Sequence, residues 1–211
     1  MARVIADTSG VLLAGGKSRR MGQDKRFLQL EGTTFLNRAI RVLEQLFSEI
    51  LIVVAEPVPH LSQSDHRVVI DRVPNCGSLG GLYTGLSHAV HPRAFVVACD
   101  MPFLNPDAIG YMAEIDRRAD VVIAQLTTGI QPLHAVYAKE CLHHLQRMIE
   151  TKNLRLYELP QSPELSVRVV PEEQMRAVDP QLLSFFNVNR PTDLEFARKV
   201  SARRLHRDGH R

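Results

Sequence analysis

The sequence predicts an α/β fold in which a Rossmann-like, mostly parallel sheet carries helices on both faces. Uninterrupted apolar runs at residues 50–55 and 95–98 are typical of strands that are buried on both sides. They alternate with amphipathic segments such as residues 34–47, where apolar side chains recur at helical spacing. The length of 211 residues, with 45% hydrophobic and 23% charged residues, fits an ordinary globular protein. We expect one domain over residues 1–200 and a basic, disordered tail over residues 201–211.

Local patterns place the individual elements in chain order. Strands are predicted at residues 10–14, 50–55, 68–70, 95–98, 120–124, 133–137, 167–170 and 185–189. Helices are predicted at residues 34–47, from a glycine-rich loop at 77–81 to about residue 90, at 105–118, at 139–149, and from residue 192 onward. Thr33 or Thr34 would cap the first helix. Asn105 followed by Pro106 is typical of a capped helix start.

The net charge of +3 is concentrated in two short segments. Residues 17–26 hold five basic residues and one acid, and residues 198–211 hold six basic residues and one acid. The rest of the chain carries a net charge of −6, so its body is acidic. The total charge alone suggests nucleic acid as a partner, but no recognised motif or interleaved aromatic residues support that function. We therefore expect a small anionic ligand, with no nucleic-acid partner.

Several classes of protein are excluded by simple counts. The three cysteines, Cys76, Cys99 and Cys141, include no C-x-x-C pair, so they predict neither a disulfide framework nor a zinc site. Polar residues interrupt the first ten positions, which argues against a signal peptide. No apolar run approaches the roughly 18 residues that a membrane span needs. These features predict a cytoplasmic protein with reduced thiols and no membrane partner.

The loop after the first strand carries the strongest functional signal. Residues 13–25 read LAGGKSRRMGQDK, and the glycines allow a tight turn and close approach of the backbone to a ligand. Backbone N–H groups in such a turn, together with Arg20 and Lys25, can hold several phosphate oxygens. The loop is not a P-loop, because Gly16 stands where lysine is required, nor a dinucleotide fingerprint, because Lys17 replaces a glycine. We expect a different phosphate-binding loop.

This loop resembles the signature of the MobA-like nucleotidyltransferases, most closely that of the molybdenum cofactor guanylyltransferases. The further matching segments follow in order: Asp71 with GSLGGL at 77–82, CDMPFL at 99–104, QPLHAVY at 131–137, and NVN at 187–189 with PTDL at 191–194. The resemblance covers residues 10–199 and implies a cytoplasmic enzyme with a nucleotide-diphospho-sugar transferase-like fold. Members of that family transfer GMP from GTP, with Mg²⁺, to molybdenum-bearing molybdopterin.

The resemblance also implies roles for individual residues. It implies nucleotide-binding roles for Leu13, Ala14, Gly15, Lys25, Asp71 and Asp100. We add Gly16 and Gly80 to the predicted nucleotide-binding residues, because glycine lets the backbone approach a ligand. Among them Asp100 would also bind the metal, and Asp100, Lys25 and Arg20 would form the catalytic group. From their own spacing, Asn187 and Asn189 would point the same way on the predicted strand and bind the acceptor substrate, and Asn189 could instead reach the metal. Ser78 and Arg190 depart from the usual residues of the family, as does the stretch 53–55, which lacks a nucleotide-binding asparagine of some members.

The implied reaction needs positioning and charge neutralisation more than a general base. The attacking phosphate has a second pKa near 6, so it is largely ionised at pH 7. The obstacle is repulsion between anions, which cations can relieve. Asp100 at the end of a buried strand suits Mg²⁺, while Lys25 and Arg20 would bind the triphosphate and the departing pyrophosphate. Asp71 would hydrogen-bond sugar hydroxyls or the N–H groups of guanine.

Two other functions stay open at this point. One is cytidylyl transfer to the same cofactor, although relatives of that kind tend to carry LAAG where this chain has LAGG. The other is a non-catalytic nucleotide-binding protein that handles the cofactor, which the presence of Asp100 disfavours.

The expected partners are GTP and molybdopterin, with cofactor-delivering and acceptor enzymes as further candidates. Gln131 and His134 are open between pterin contact and a structural role, and His143 and His144 are expected on a solvated helix face.

Overall fold

A computed structural model describes residues 4–15, 25–61 and 64–208 of the chain. Gly16 and Arg20 lie outside these described residues. The strands are β1 (Thr8–Leu13), β2 (Gln29–Leu30), β3 (Thr33–Thr34), β4 (Ile50–Val54), β5 (Arg67–Ile70), β6 (Arg93–Ala98), β7 (Val121–Leu126), β8 (Gly129–Ala138) and β9 (Val167–Pro171). The α-helices are α1 (Phe35–Leu43), α2 (Gly77–His88), α3 (Pro106–Glu114), α4 (Cys141–Glu150), α5 (Glu172–Val178) and α6 (Pro191–Asp208). None of the described helices has the length and hydrophobicity needed to span a bilayer.

Seven of the strands form a single mixed sheet in the order β5-β4-β1-β6-β8-β7-β9, and β2 pairs with β3 in a separate hairpin. β5, β4, β1 and β6 pair in parallel, and β7 pairs in parallel with β9. β8 is antiparallel to both of its neighbours, so it alone runs against the other strands of the sheet. The predicted mostly parallel sheet is therefore confirmed. The reversal of β8 brings its first residues to the edge where β1, β4, β5 and β6 end.

The two faces of the sheet are covered by separate sets of helices, as predicted. Alternate residues of one strand point to opposite faces, so Leu12 packs with α1, α3 and α5 while Val11 and Leu13 pack with α2 and α4. A smaller third cluster joins the β2–β3 hairpin to α6 through residues such as Leu30 and Ala197. The burial of β1, β4 and β6 on both faces explains their unbroken apolar sequences.

The helix starts agree closely with the capping signals. The Thr34 hydroxyl accepts a hydrogen bond from the Asn37 N–H at 3.2 Å, which caps α1. The Asn105 side chain accepts from the Asp107 N–H at 2.9 Å, and Pro106 follows at the first helical position of α3. α1 ends at Leu43 and α3 at Glu114, so both helices are shorter than their apolar spacing predicts.

Two predicted elements are wrong. Residues 185–189 do not form a strand: a short 3₁₀ turn, Leu183–Phe185, is followed by extended chain that pairs with no strand. The glycine-rich passage 77–81 is not a loop, because α2 begins at Gly77 and includes all five residues. Gly77 itself has a positive φ of 56°, so the turn that the glycine makes possible is confined to the first residue of the helix.

The C-terminal segment also differs from the expected disordered tail. α6 continues through Asp208, well past residue 200. Ser201 is buried, and the Arg204 guanidinium lies over the Phe103 ring at 5.4 Å from its centroid. These contacts explain why a run of basic residues continues a helix. Residues 209–211 lie outside the described part of the chain.

Candidate active site

An open cleft of about 960 Å³ lies at the edge of the sheet where the parallel strands end. Its walls come from the ends of β1, β4, β5 and β6, from the first turns of α2, from the start of β8 and from residues 187–189. The predicted site residues that line it are Leu13, Ala14, Gly15, Lys25, Asp71, Asp100, Asn187 and Asn189. Residues spread over more than 170 positions of sequence therefore meet in one cleft. This position follows the general rule for ligand sites in open α/β sheets.

Lys25 joins two of the predicted residues directly. Its Nζ donates to Asp100 Oδ2 at 3.0 Å and to Asn189 Oδ1 at 2.7 Å. The side chains of Lys25 and Asp100 are only 18% and 20% exposed, so this ion pair is partly shielded from water. One ammonium, one carboxylate and one amide oxygen thus converge at a single point of the cleft wall. Such a cluster can hold a phosphate through its cation and a divalent metal ion through its oxygens.

The backbone fixes Asp100 in place. It follows β6, and the Cys99 N–H donates to the Leu13 carbonyl at 3.1 Å, which ties this turn to the end of β1. The Asp100 carbonyl accepts from the Val188 N–H at 2.9 Å, which ties the segment 187–189 to the same turn. The Asn189 carboxamide can therefore reach Lys25 although no strand holds it.

The Asp193 carboxylate holds the backbone of Asn189 by hydrogen bonding. One carboxylate oxygen, Oδ2, accepts from the N–H groups of both Asn189 and Arg190 at 2.8 Å. A carboxylate that accepts N–H groups at a helix start is a favourable arrangement for the helix. Asp193 lies in the first turn of α6, so the helix that follows the cleft positions a residue of its wall.

Asp71 is held in place through its backbone N–H and its carboxylate oxygen Oδ1. The Asp71 N–H donates to the Val54 carbonyl at 2.7 Å, which continues the β4–β5 pairing beyond the strand. Its Oδ1 accepts from the Thr84 hydroxyl at 2.8 Å and from the Val73 N–H at 3.0 Å. Thr84 lies on α2 and is only 2% exposed. Sequence reasoning missed Thr84, because its contact with Asp71 depends on how α2 packs beside β5.

Gly80 lies behind Asp71 and does not line the cleft. A Cβ at this position would sit 2.8 Å from the Val73 carbonyl oxygen and 3.1 Å from Asp71 Oδ2. The residue thus allows α2 to approach the Asp71 turn closely, and its predicted direct contact with a nucleotide gains no support from this placement. Gly77, Ser78 and Gly81 line the cleft instead. The N-terminus of α2 therefore faces the cleft, where helix N–H groups favour an anion.

The two asparagines reach the cleft by different routes from the one predicted. Asn187 donates from Nδ2 to the Phe185 carbonyl at 3.3 Å, whereas the Asn189 side chain contacts Lys25. Their convergence on the cleft does not come from strand alternation, since neither belongs to a strand. It comes from the hydrogen bonds that hold the segment to Asp100 and to α6.

Gln131 and His134, which the sequence leaves open between pterin contact and a structural role, lie in different environments. Gln131 lines the cleft at the start of β8, and its Nε2 donates to the Gly129 carbonyl at 3.0 Å. His134 is fully buried, with its ring 5.1 Å from the Phe95 ring and 4.4 Å from the Phe185 ring between centroids. Burial lowers the pKa of His134 to about 4. His134 is therefore a neutral core residue, and of the two only Gln131 can touch a ligand.

Comparison with known proteins agrees with this geometry. Residues 10–164 match the MobA-like NTP transferase domain family. A relative from Pelotomaculum thermopropionicum, named a probable molybdenum cofactor guanylyltransferase, is 37% identical over 92% of this chain and 93% of its own length. Another from Desulfosudis oleivorans, named a molybdenum cofactor guanylyltransferase, is 35% identical over 90% of this chain and 93% of its own.

Solved structures of similar proteins share the fold of this chain. Molybdopterin-guanine dinucleotide biosynthesis protein A from Archaeoglobus fulgidus is 25% identical and superposes with a TM-score of 0.81, covering 92% of this chain and 99% of that one. The 2-C-methyl-D-erythritol 4-phosphate cytidylyltransferase from Thermus thermophilus shares the fold with a TM-score of 0.65 at 17% identity, over 92% of this chain and 98% of its own. The predicted nucleotide-diphospho-sugar transferase-like fold is confirmed. With its family match and its relatives of more than 30% identity, the chain belongs to the MobA-like NTP transferase family.

Proposed function

We propose that the protein transfers GMP from GTP to molybdenum-bearing molybdopterin and releases pyrophosphate, forming the guanine dinucleotide form of the cofactor. The names of its relatives support this activity, and so does the size and lining of the cleft. The observation that carries the proposal is the contact of Lys25 with both Asp100 and Asn189. A cation beside two oxygen atoms is the arrangement that the proposed reaction needs around the phosphates of a nucleotide.

The nucleotide would lie along the ends of β1, β4 and β5. Gly15 allows the chain after β1 to pass close to the end of β4, because an added Cβ would sit 3.2 Å from the Ala55 nitrogen. Asp71 faces the same part of the cleft, and a carboxylate can accept hydrogen bonds from sugar hydroxyls or from the N–H groups of guanine. The N-terminus of α2 and Lys25 supply positive charge for the phosphates. Arg20, outside the described residues, is proposed to add a further cation.

The chemistry asks the chain to position two anions and to offset their repulsion. The terminal phosphate of the acceptor is mostly ionised at pH 7, so it can attack the α-phosphorus without a general base. Lys25 would bind the triphosphate and stabilise the negative charge that develops on the departing pyrophosphate. Holding both reactants in one cleft removes the entropic cost of bringing them together.

Asp100 is the proposed ligand of Mg²⁺, with the Asn189 amide oxygen beside it. The donors fit the ion, because Mg²⁺ prefers oxygen ligands and usually takes one or two carboxylates with phosphates and water. Both oxygens already converge on one cation, the Lys25 ammonium. When bound, the ion would neutralise phosphate charge. Asp100 would hold it at the nucleotide, and Lys25 would then be released to contact phosphate oxygens.

The acceptor would lie against Asn187, Asn189, Met101 and Gln131, which also line the cleft. Amide groups both donate and accept hydrogen bonds, as a pterin ring requires. In this role the protein would work in the cytoplasm, beside the enzymes that deliver molybdopterin and accept the finished cofactor.

A nucleotide panel tests the proposal. GTP, CTP, ATP and UTP are compared for binding in the presence of Mg²⁺, and each is then incubated with the protein and molybdenum-bearing molybdopterin. We expect GTP to bind most tightly and to form the dinucleotide cofactor. Transfer from CTP in preference to GTP would identify a cytidylyltransferase. Tight GTP binding without any transfer would favour a non-catalytic nucleotide-binding protein.

A further inference from the structure

A second cluster of ligand-type side chains lies on α4, away from the cleft. The ring nitrogens of His143 and His144 and a carboxylate oxygen of Glu164 lie within 4.8 Å of one another. Glu164 belongs to the turn before β9, so the cluster joins a helix to a neighbouring turn. None of the three residues lines the cleft. The cluster therefore serves no part of the proposed reaction.

His144 departs from the solvated helix face that its sequence predicts. Its side chain is only 2% exposed, whereas those of His143 and Glu164 are 66% and 60% exposed. Its Nε2 is buried and has no hydrogen-bond partner among the described residues, although Glu164 Oε2 lies 3.5 Å away. A buried polar atom without a partner costs stability, so its persistence calls for an explanation. A metal ion bound to Nε2 would satisfy it.

The distances suit a tetrahedral ion. In a zinc site with bonds of about 2.0–2.1 Å, neighbouring ligand atoms lie roughly 3.4 Å apart. Glu164 Oε2 lies 3.5 Å from His144 Nε2 and 4.0 Å from His143 Nε2, so small side-chain movements reach that spacing. The exposed His143 and Glu164 can make those movements, while the buried His144 provides a fixed ligand.

The other ring nitrogen of His144 has a partner that could orient the ring. The Ser162 Oγ lies 3.2 Å from His144 Nδ1. Metal-binding histidines almost always donate their second N–H to an oxygen, which fixes the tautomer and the ring orientation. The Arg147 guanidinium, which can only donate, also lies 3.2 Å from Nδ1 and favours the tautomer with the proton on Nε2. Zinc binding therefore requires Arg147 to leave Nδ1, so that the Nδ1 proton is directed at Ser162 and the lone pair of Nε2 points towards Glu164.

We propose that His143, His144 and Glu164 bind one Zn²⁺ ion, with water completing the coordination. Two imidazoles and one carboxylate form a donor set that suits zinc, whereas Mg²⁺ prefers oxygen ligands alone. The ion would link α4 to the turn that leads into β9 and would stabilise the folded chain. Arg147 competes with it, because one guanidinium nitrogen lies 3.7 Å from Glu164 Oε2 and 3.2 Å from His144 Nδ1. Removal of Arg147 should therefore tighten zinc binding.

Zinc binding to the untagged, full-length protein tests the proposal by competition with a chromogenic chelator. The ligand variants are His143→Gln and Glu164→Gln, whose exposed side chains can be changed without loss of the fold. The matched control is His66→Gln, because His66 pairs with Glu44 at 2.9 Å but the described residues offer this pair no third ligand. Arg147→Gln is included as the variant expected to strengthen binding.

We expect one zinc ion per wild-type chain, about tenfold or more weaker binding in either ligand variant, and unchanged binding in the control. Zinc should raise the melting temperature of the wild type and the control more than that of the ligand variants, because binding to the folded state stabilises it. Excess Mg²⁺ should leave the zinc in place. Equal zinc affinity in the wild type and both ligand variants, absence of zinc binding, or displacement of zinc by Mg²⁺ would each overturn the proposal.

Discussion

The Lys25 ammonium and the Asp100 carboxylate form a 3.0 Å ion pair although 75 positions of sequence separate them. The pair joins Lys25, near the end of the basic segment 17–26, to the region that follows the central strand β6. Neither residue belongs to a regular strand or α-helix, so the sheet edge brings them together. A second carboxylate, that of Asp71, lines the same cleft.

Lys25→Ala should slow GMP transfer by about 10²–10³-fold, because it removes the cation proposed to stabilise charge on the departing pyrophosphate. Steady-state rates of dinucleotide formation measure the effect. Lys199→Ala is the matched control, since Lys199 is an exposed lysine of α6. Transfer by Lys25→Ala at the rate of this control would remove Lys25 from the proposed catalytic group.

Thr84→Val should raise the KM for GTP several-fold while changing kcat little. The substitution keeps the shape of the side chain but removes the 2.8 Å hydrogen bond that Thr84 donates to Asp71. The Asp71 carboxylate would then be held by the Val73 N–H alone and would be oriented less firmly. This matters equally in the ground state and the transition state if the role of Asp71 is binding. Thr84→Ser keeps the hydroxyl and should retain the wild-type KM. An equal rise of KM in both variants would show that packing, and not orientation of Asp71, is affected.

Gly80→Ala should destabilise the protein by about 1–3 kcal/mol, the usual cost of overpacking. The new Cβ would meet the Val73 carbonyl oxygen at 2.8 Å and Asp71 Oδ2 at 3.1 Å, and backbone cannot give way as a flexible side chain can. Gly110→Ala on α3 is the control, because its nearest neighbour would be Leu46 at 3.9 Å. That change should be neutral or stabilising by up to about 1 kcal/mol, since alanine favours helices. Denaturant unfolding compares the two, and equal stability would contradict the close approach.

The folded protein should become less stable as the pH is lowered from about 6.5 to 4, because of His134. Burial lowers the pKa of His134 to about 4, so in this range the unfolded chain binds a proton that the folded chain does not. The contribution is fully present above pH 6.5 and is lost as the pH falls towards 4. It amounts to about 3 kcal/mol for a shift of this size. Unfolding of the wild type and of His134→Leu across this range isolates the effect, and an unchanged difference in stability at every pH would contradict it.

The sheet was predictable because each central strand can be recognised from its own stretch of sequence. Ile50–Val54 and Arg93–Ala98 are buried along their whole length, so an uninterrupted apolar sequence suffices to identify them. The apolar residues of segment 185–189 led to a wrong strand prediction for the same reason. Phe185 and Val188 are buried, Phe185 in the core on one face of the sheet and Val188 beside α6 and the β2–β3 hairpin, but neither belongs to a strand. Local sequence cannot distinguish these two environments.

The sequence predicts most residues of the site but not the contacts that hold them in place. Strand ends supply Asp71 and Asp100, and the general position of ligands in α/β sheets then places them in one cleft. The support of Asp71 by Thr84 was not predictable, because it depends on how closely α2 packs beside β5 at Gly80. The contact of Asn189 with Lys25 likewise arises from a bond between the Val188 and Asp100 backbones. Such long-range contacts are set by the fold and have no local signal.

The role of Asp100 in GMP transfer is tested by measuring the transfer of labelled GMP from GTP to molybdenum-bearing molybdopterin. The wild type and Asp100→Asn are compared at a series of Mg²⁺ concentrations. Asp107→Asn, an exposed aspartate of α3, is the control. We predict Mg²⁺-dependent formation of the dinucleotide cofactor by the wild type and the control, and loss of that activity in Asp100→Asn with the fold intact. Undiminished transfer by Asp100→Asn, or no transfer from GTP by the wild type, would contradict the proposed function.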